Sequence, residues 1–400
     1  MALELSARAR AISPSPTLSI DAKTKALVAS GVDIVNLAVG EPDFQTPDQA
    51  SLAGIAAITS NFTKYTDATG IVELRRAIAD KLKKDNNLDY KPEEIIVSTG
   101  AKQSLYNIFM AILNPGDEVL LPAPYWVSYP EQIRLCDGVP VPIPTTEETG
   151  FKVTPDQLKQ AITAKTKAVL LNTPSNPTGA MYTEAEIRAL GAVLEEHPIY
   201  IVSDEIYEQL TYDQVHFSIA RVSAALRERT FVVNGFSKTH AMTGWRVGYV
   251  ACPQPLVKAM GSFQSHTTSN PSSISQKAAL GALGTFERST VEQFRQRRDY
   301  VISQFLEIPG ISCSLPGGAF YVFPNAQSFL GRAYTNADGQ KFTLDSIDLL
   351  CELLLTDAHV ATVPGTGFGA PDNFRVSYAA SMAQLHKGME RIHAFFAQIS

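Results

Sequence analysis

Cysteine is scarce in this sequence: Cys136, Cys252, Cys313 and Cys351 are the only four among 400 residues, and no two form a Cys-x-x-Cys pair. That pattern argues against a disulfide framework and against a cysteine-built zinc site, so no metal is expected and a reducing compartment fits. Long apolar runs are missing too. No uninterrupted stretch reaches the roughly 18 residues that a membrane span needs. The opening MALELSARARAISPSPTLSI lacks the apolar centre of a signal peptide. Positive charge is in deficit, with 34 Lys and Arg against 40 Asp and Glu and a net charge of -6. Neither nucleic acid nor an anionic membrane is therefore an expected partner, whereas a small anion could still be held by local cations. There is no repeat and no low-complexity tract. What these absences leave is a cytoplasmic protein that handles small molecules.

What is present is a long alternation of strand and helix patterns, over more residues than one small core requires, so a large domain and a smaller one are expected. Residues 1–18 read as an arm that crosses to a partner. A helix over 20–29 and a strand over 33–38 follow, and then a turn enforced by Gly40 and Pro42. Ile71, Leu74, Ile78 and Leu82 share one helix face by their spacing and belong to a core. Strands are predicted at 94–98, 118–121, 139–143, 167–171, 199–202, 230–233 and 247–252, with helices from 101 to 113, 126–136, 184–194, 275–284 and 286–306. Beyond Pro309 the pattern shortens to strands at 311–315, 318–323, 360–363 and 373–378 and helices at 346–356 and 383–398, which suits a smaller α+β lobe.

The stretch NGFSKTHAMTGWRVGY (234–249) sets the chemistry. Lys238 follows a buried-strand pattern, so it sits where the sheet of an α/β protein ends and functional side chains collect. Small and polar neighbours leave room for a ligand, and Arg246 offers a planar fork for a phosphate or carboxylate. A lysine near fixed cations and partly dehydrated loses its proton readily and can attack a carbonyl. The plainer alternative is a surface lysine closing a strand. Elsewhere, a strand feeding Gly100-Ala101-Lys102 and a helix makes an anion site from free backbone N–H groups. The turn 172–179 aims the Asn176 amide, and Asp204 ends another strand, so it is expected in the same crevice as Lys238. Together these residues meet the needs of pyridoxal phosphate: a lysine for its aldehyde, a buried carboxylate for its ring nitrogen, donors such as Asn176 and Tyr207 for its ring oxygen, and Arg246, Ser237 and the 100–102 amides for its phosphate.

The motifs GEPDF (40–44), TKYT (63–66), GAKQ (100–103), PAPYWVSYPE (122–131), NTPSNPTG (172–179), SDEIYE (203–208), the 234–249 stretch, PGGAFYVF (316–323) and NFRVSYAAS (373–381) resemble, in this order and over nearly the whole chain, the class I aminotransferases of the fold type I pyridoxal-phosphate superfamily. The bacterial-type aspartate aminotransferase branch is the most similar. The resemblance implies an α/β fold: a large cofactor-binding domain (47–290) with a mainly parallel sheet flanked by helices, and a smaller α+β domain formed by the N-terminal segment (1–46) and by 291–400. It implies a homodimer and a pyridoxal 5'-phosphate transaminase, with Lys238 as Schiff-base lysine and proton shuttle, Asp204 as partner of the ring nitrogen, Asn176 and Tyr207 at the ring oxygen and Trp126 stacked on the ring. Gly100, Ala101, Lys102, Ser237 and Arg246 would hold the phosphate, with Tyr65 reaching it from the neighbouring subunit. Arg375, helped by Gly40 and Asn176, would clamp the substrate's α-carboxylate. No second arginine occupies an obvious position for a distal carboxylate, so Lys102 is the candidate, the alternative being that it only reinforces the phosphate site. Arg8 would add a further positive charge. The implied substrates are amino acids and 2-oxo acids: aspartate with 2-oxoglutarate, or, alternatively, prephenate or aromatic substrates.

Overall fold

A computed structural model describes residues 4–14 and 16–400. Residues 1–3 and Ser15, part of the expected arm, lie outside the described residues. The chain opens with a short helix α1 (Ala7–Ala11), not anticipated in the arm, and α2 (Pro16–Ala29), which starts earlier than its sequence pattern suggests. The expected strand at 33–38 contracts to β1 (Val35–Asn36) and is followed by α3 (Asp48–Thr59) and α4 (Val72–Asn86). Then come β2 (Ile95–Ser98), α5 (Ala101–Ile112), β3 (Glu118–Ala123), α6 (Ser128–Leu135), β4 (Val139–Pro144), α7 (Pro155–Ala161), β5 (Thr166–Asn172), α8 (Glu184–Glu195), β6 (Tyr200–Asp204), α9 (Ala224–Arg227), β7 (Thr230–Gly235) and β8 (Gly248–Ala251).

Strands β2 to β8 form one seven-stranded sheet in the order β2-β8-β7-β6-β5-β3-β4. Every pair from β7 to β4 is parallel, and β8 runs antiparallel to both β7 and β2. Parallel strands are covered on both faces, which is why β6 and β7 read as continuous apolar runs without alternation. One face packs Ile96, Val202 and Val233 against Leu105 and Phe109 of α5. The other splits, with Val97 and Val232 meeting Leu74, Ile78 and Leu82 of α4, and Val169 and Ile201 meeting Ile187 and Leu190 of α8. Leu74, Ile78 and Leu82 are therefore core as their spacing predicts, and Ile71, which lies just before α4, is buried in the same cluster.

After β8 the chain runs through α10 (Gln254–Thr267), α11 (Ser273–Ala282) and α12 (Arg288–Leu306) into short pieces: β9 (Tyr321–Val322), β10 (Ala333–Thr335), β11 (Lys341–Thr343), α13 (Ile347–Thr356), β12 (Val360–Ala361), β13 (Val363–Pro364), β14 (Phe374–Ser377) and α14 (Met382–Phe396). Strands β13, β14 and β9 make a three-stranded antiparallel sheet, and β1 pairs in parallel with β12, so the N-terminal segment joins the C-terminal one. The expected strand at 311–315 is reduced to a single bridge between Ser312 and Asn325. The β10–β11 hairpin and the helices α3, α7 and α10 have no counterpart in the sequence reading. The small sheet shares a core with α12, α13 and α14 through Phe294, Phe305, Leu350, Leu354, Leu385 and Ile392.

Candidate active site

The carboxyl ends of β5, β6 and β7 open into one cavity of about 680 Å³. The first of these strands ends in Asn172. Its side-chain amide donates to the Asp204 carbonyl at 3.0 Å, and its Oδ1 accepts from the Asn176 backbone N–H at 2.9 Å, so the following turn is pinned with Asn176 facing the cavity. The second ends in Asp204. Its Oδ2 accepts from the Tyr129 hydroxyl at 2.8 Å and its Oδ1 from the Ile206 N–H at 3.2 Å. Burial pushes this carboxyl up to about 6, with the Tyr129 hydrogen bond opposing the rise. From the third come Ser237 and Lys238. The Lys238 ammonium donates to the Gly40 carbonyl, and dehydration lowers its pKa to about 8, with the charges of Arg375 and Arg246 adding to the drop and Glu41 opposing it.

An anion corner lies beside these residues. Gly100 has φ 82°, and a Cβ on it would stand 2.6 Å from Arg246 Nη2, so only a glycine lets the guanidinium close over the start of α5. Gly248 of β8 backs the same helix start, where a Cβ would meet the Ala101 nitrogen at 2.2 Å. Arg246 itself is held in the left-handed region at φ 57° and donates to the Thr243 carbonyl at 2.9 Å. Lys102 extends from the first turn of α5 until its Nζ is 4.8 Å from the centre of the Trp126 ring, and burial together with the Arg246 charge lowers its pKa. The Gly100 N–H, expected among the free donors here, is taken up by the Ser98 carbonyl at 2.8 Å, so the N–H groups of Ala101 and Lys102, the helix dipole and a fixed arginine make up an arrangement suited to an anion.

A second cation enters from the small sheet. Arg375 on β14 donates to Asn176 Oδ1 at 2.9 Å and to the Ala38 carbonyl at 2.7 Å, while its buried Nε has no partner among the described residues. Its guanidinium lies 4.5 Å from the centre of the Tyr321 ring. The Tyr321 hydroxyl is 3.0 Å from that of Tyr207.

The fold thus brings Gly40, Ala101, Lys102, Trp126, Asn176, Asp204, Tyr207, Ser237, Lys238, Arg246 and Arg375 to one cavity, with Gly100 against Arg246 at its edge. Two expected site residues are not brought there within this chain. Tyr65 is 89 % exposed, and Arg8 lies on the surface, donating to both carboxylate oxygens of Asp137 at 3.0 Å. Conversely, Tyr129, Asn172 and Tyr321 belong to the site although sequence reasoning gave them no role. Each lies inside a motif that signals the site, and Tyr129 stands three residues after Trp126, at the spacing that puts two side chains on one helical face.

The sequence profile of aminotransferase class I and II matches residues 32–392. The aspartate aminotransferase of Bacillus subtilis (strain 168) is 49 % identical over 98 % of this chain and 99 % of its own length. An aspartate/prephenate aminotransferase of Cereibacter sphaeroides is 47 % identical over 97 % of this chain and 98 % of its own. Among solved structures, the aspartate aminotransferase from Rhizobium meliloti superposes with a TM-score of 0.94 at 42 % identity, covering 100 % of both chains. The Thermus thermophilus aspartate aminotransferase with maleate gives 0.91 at 42 % identity, covering 98 % of this chain and 100 % of that one. The chain belongs to the class I and II aminotransferase family and is a pyridoxal 5'-phosphate-dependent transaminase of the fold type I architecture. The cavity fits that cofactor on its own chemistry: an amine of lowered basicity, a buried carboxylate, and a glycine cradle under an arginine at a helix start.

Proposed function

We propose that this aminotransferase moves the amino group of L-aspartate to 2-oxoglutarate in two half-reactions. The observation that carries the reading is the provision of two cations besides Arg246 in one cavity, Arg375 buried and Lys102 at its solvent-exposed edge. A monocarboxylate needs one; a dicarboxylate uses both. Relatives named as aspartate aminotransferases and a neighbour solved with maleate support the same choice. Lys102 also faces the Trp126 ring, an apolar surface on which a cyclic acid could lie. Together with relatives named as aspartate/prephenate aminotransferases, this favours prephenate as a second substrate.

When bound, pyridoxal phosphate supplies an aldehyde that condenses with amines and a protonated ring that draws electrons from the substrate α-carbon. Arg246, Ser237 and the amides of Ala101 and Lys102 would hold its phosphate in this reading. Asp204, ionised, would meet the ring nitrogen, Asn176 and Tyr207 the ring oxygen, and Trp126 the ring face. Arg375 is already oriented by Asn176 and Ala38, so it meets the α-carboxylate with a fork whose position costs nothing further to set. Lys238, largely neutral slightly above pH 8, takes the proton from the α-carbon and returns it. Gly40 supports both ends of the site, its carbonyl on Lys238 and its main chain beside the substrate.

The remaining assignments need a second copy of the chain. Leu52, Ile55 and Ile58 form an exposed apolar stripe on α3, and with Tyr65 close by they mark the surface of a homodimer in which Tyr65 reaches the partner's phosphate site. Arg8 would lend its charge to the substrate from the arm, after releasing Asp137. The arm and 16–46 are assigned with 291–400 to the small domain, and 47–290 to the large one. A cytoplasmic location goes with this metabolic role; among the described residues no helix is long and apolar enough to cross a membrane.

The experiment is a half-reaction screen, in which the purified holoenzyme is mixed with single amino acids and conversion to the pyridoxamine form is followed by absorbance. Aspartate and glutamate should convert it and 2-oxoglutarate should restore it. Conversion by aromatic amino acids alone would overturn the substrate assignment.

A further inference from the structure

Asp204 is closed off at the end of β6, and four titratable groups face it: Tyr129 from α6, Lys238 from the loop after β7, and Glu205 and Tyr207 from its own loop. Their effects do not point one way. Glu205 and burial favour the neutral acid, whereas Lys238 and the Tyr129 hydrogen bond favour the carboxylate. Tyr129 is the only side chain among the described residues that donates a hydrogen bond to the Asp204 carboxylate, at 2.8 Å on Oδ2. The other carboxylate oxygen has a main-chain N–H at 3.2 Å. The phenol is fully buried and burial suppresses its ionisation, so it remains a donor around neutral pH. Its ring stands edge-on to Trp126, with centroids 5.3 Å apart and an interplanar angle of 81°. The first turn of α6 and the segment leading into it therefore carry, three residues apart, the hydroxyl that addresses the carboxylate and the aromatic face of the cavity.

We propose that Tyr129 is a positioning residue that holds Asp204 ionised and oriented toward the ring nitrogen of pyridoxal phosphate. The proposal rests on the assignment of Asp204 to that nitrogen. Its physical content is that a sealed carboxylate facing a nearby carboxylate accepts a proton unless a donor of fixed direction stabilises its charge. A charge-assisted hydrogen bond is strong enough to move the midpoint by roughly one to two pH units. Losing it would neutralise Asp204 near neutrality and leave the ring cation without its counter-charge.

The test compares wild type, Tyr129→Phe and Asp204→Asn by equilibrium binding of pyridoxal phosphate to the apoenzyme across pH. Tyr129→Phe should bind about tenfold more weakly at pH 7 and approach wild type about two units higher, where Asp204 ionises unaided. The acidic limb of its kcat/KM profile should rise by about one unit or more. With a deaza analogue of the cofactor, in which carbon replaces the ring nitrogen, the difference between wild type and Tyr129→Phe should vanish. A loss that is equal at every pH, or that persists with the deaza analogue, would reduce Tyr129 to packing and overturn the proposal. If Asp204→Asn is impaired and Tyr129→Phe is not, the inference fails while the assignment of Asp204 stands. If Asp204→Asn binds the cofactor as wild type does, that assignment fails first. Should Tyr129→Phe not fold, 3-fluorotyrosine at position 129 keeps ring and hydroxyl while strengthening the donor. The acidic limb must then move down, and no movement would again overturn the proposal.

Discussion

At the scale of single residues the site is a set of groups moved off their ordinary basicity by burial. Lys238 is drawn down to about 8 and Asp204 is pushed up to about 6. The sign of each shift gives a testable dependence. Only the neutral amine of Lys238 can attack an aldehyde, so the rate at which apoenzyme captures pyridoxal phosphate should climb with pH and level off above about 8, as stopped-flow absorbance would report. A midpoint near that of a free lysine would mean the amine is not dehydrated as described. Lys238→Ala should keep the fold and lose turnover by at least 10² to 10⁴, the range contributed by positioned acid–base catalysis, because the other lysines that line the cavity among the described residues are otherwise engaged, Lys102 over the Trp126 ring and Lys25 with Asp21. A tenth of wild-type turnover would contradict the assignment. Lys102→Ser addresses the substrate: losing a charge-assisted bond of roughly 1.5–3 kcal/mol should lower the kcat/KM ratio of aspartate over phenylalanine about 10- to 100-fold. An unchanged ratio with looser cofactor would assign Lys102 to the phosphate instead. These residues were legible because each ends a strand or opens a helix within a recognisable motif. Tyr129 and Tyr321 were not, since a phenol becomes a site residue only through contacts with Asp204 and Tyr207, which lie 75 and 114 positions away in sequence.

At the scale of elements, the start of α5 is a part whose geometry tolerates little change. Gly100→Ala places a methyl 2.6 Å from Arg246 Nη2 and asks a non-glycine to hold φ 82°. The backbone cost is roughly 1–3 kcal/mol, because φ 82° with ψ 158° is a region essentially confined to glycine. The larger consequence is that the guanidinium must swing away from the helix start, so cofactor affinity should fall while the melting temperature drops only modestly, measured by dialysis and calorimetry. A second element-scale device lies under the catalytic loops. Lys81 of α4 reaches Glu208, which also accepts from Asn86, and His216 faces Glu205 at 2.9 Å, so α4 is tied to the loop that follows Asp204. Lys81→Met leaves Glu208 buried without its cation and should destabilise the protein by about 3–5 kcal/mol in denaturant unfolding. A loss below 1 kcal/mol would show the pair to be solvated. The seven-stranded sheet was readable because parallel strands are apolar runs bounded by turns. The small lobe was read less well. Its strands are two to four residues long, too short for any period to register, and the segment at 311–315 has alternation but finds only one bridging partner.

At the scale of the whole molecule, α3 raises the question that one chain does not answer by itself. Its inner face is made of small residues, Ala50, Gly54 and Ala57, and a Cβ on Gly54 would stand 2.9 Å from the Trp245 ring, so the helix lies close against the large domain. The large apolar side chains point the other way: Leu52, Ile55 and Ile58 are 63 %, 56 % and 53 % exposed. A helix that buries its small residues and presents its large ones has its apolar stripe reversed relative to a solvent-facing helix, and that reversal explains why its sequence has no readable single-faced pattern. A second copy of the chain covers the stripe in the proposed dimer and brings Tyr65 to the neighbouring phosphate. Two variants separate the roles. Ile55→Glu, at an exposed position, should leave the monomer folded by circular dichroism but halve the mass in sedimentation, and activity should fall with dimer content. Tyr65→Phe should leave the mass unchanged and weaken cofactor binding about tenfold, the worth of one hydrogen bond to a charged group of roughly 1.5 kcal/mol. An Ile55→Glu protein that remains dimeric would place the interface elsewhere. One that is monomeric and fully active would remove Tyr65 from the site, because a residue 89 % exposed on its own chain has no other route to the cofactor.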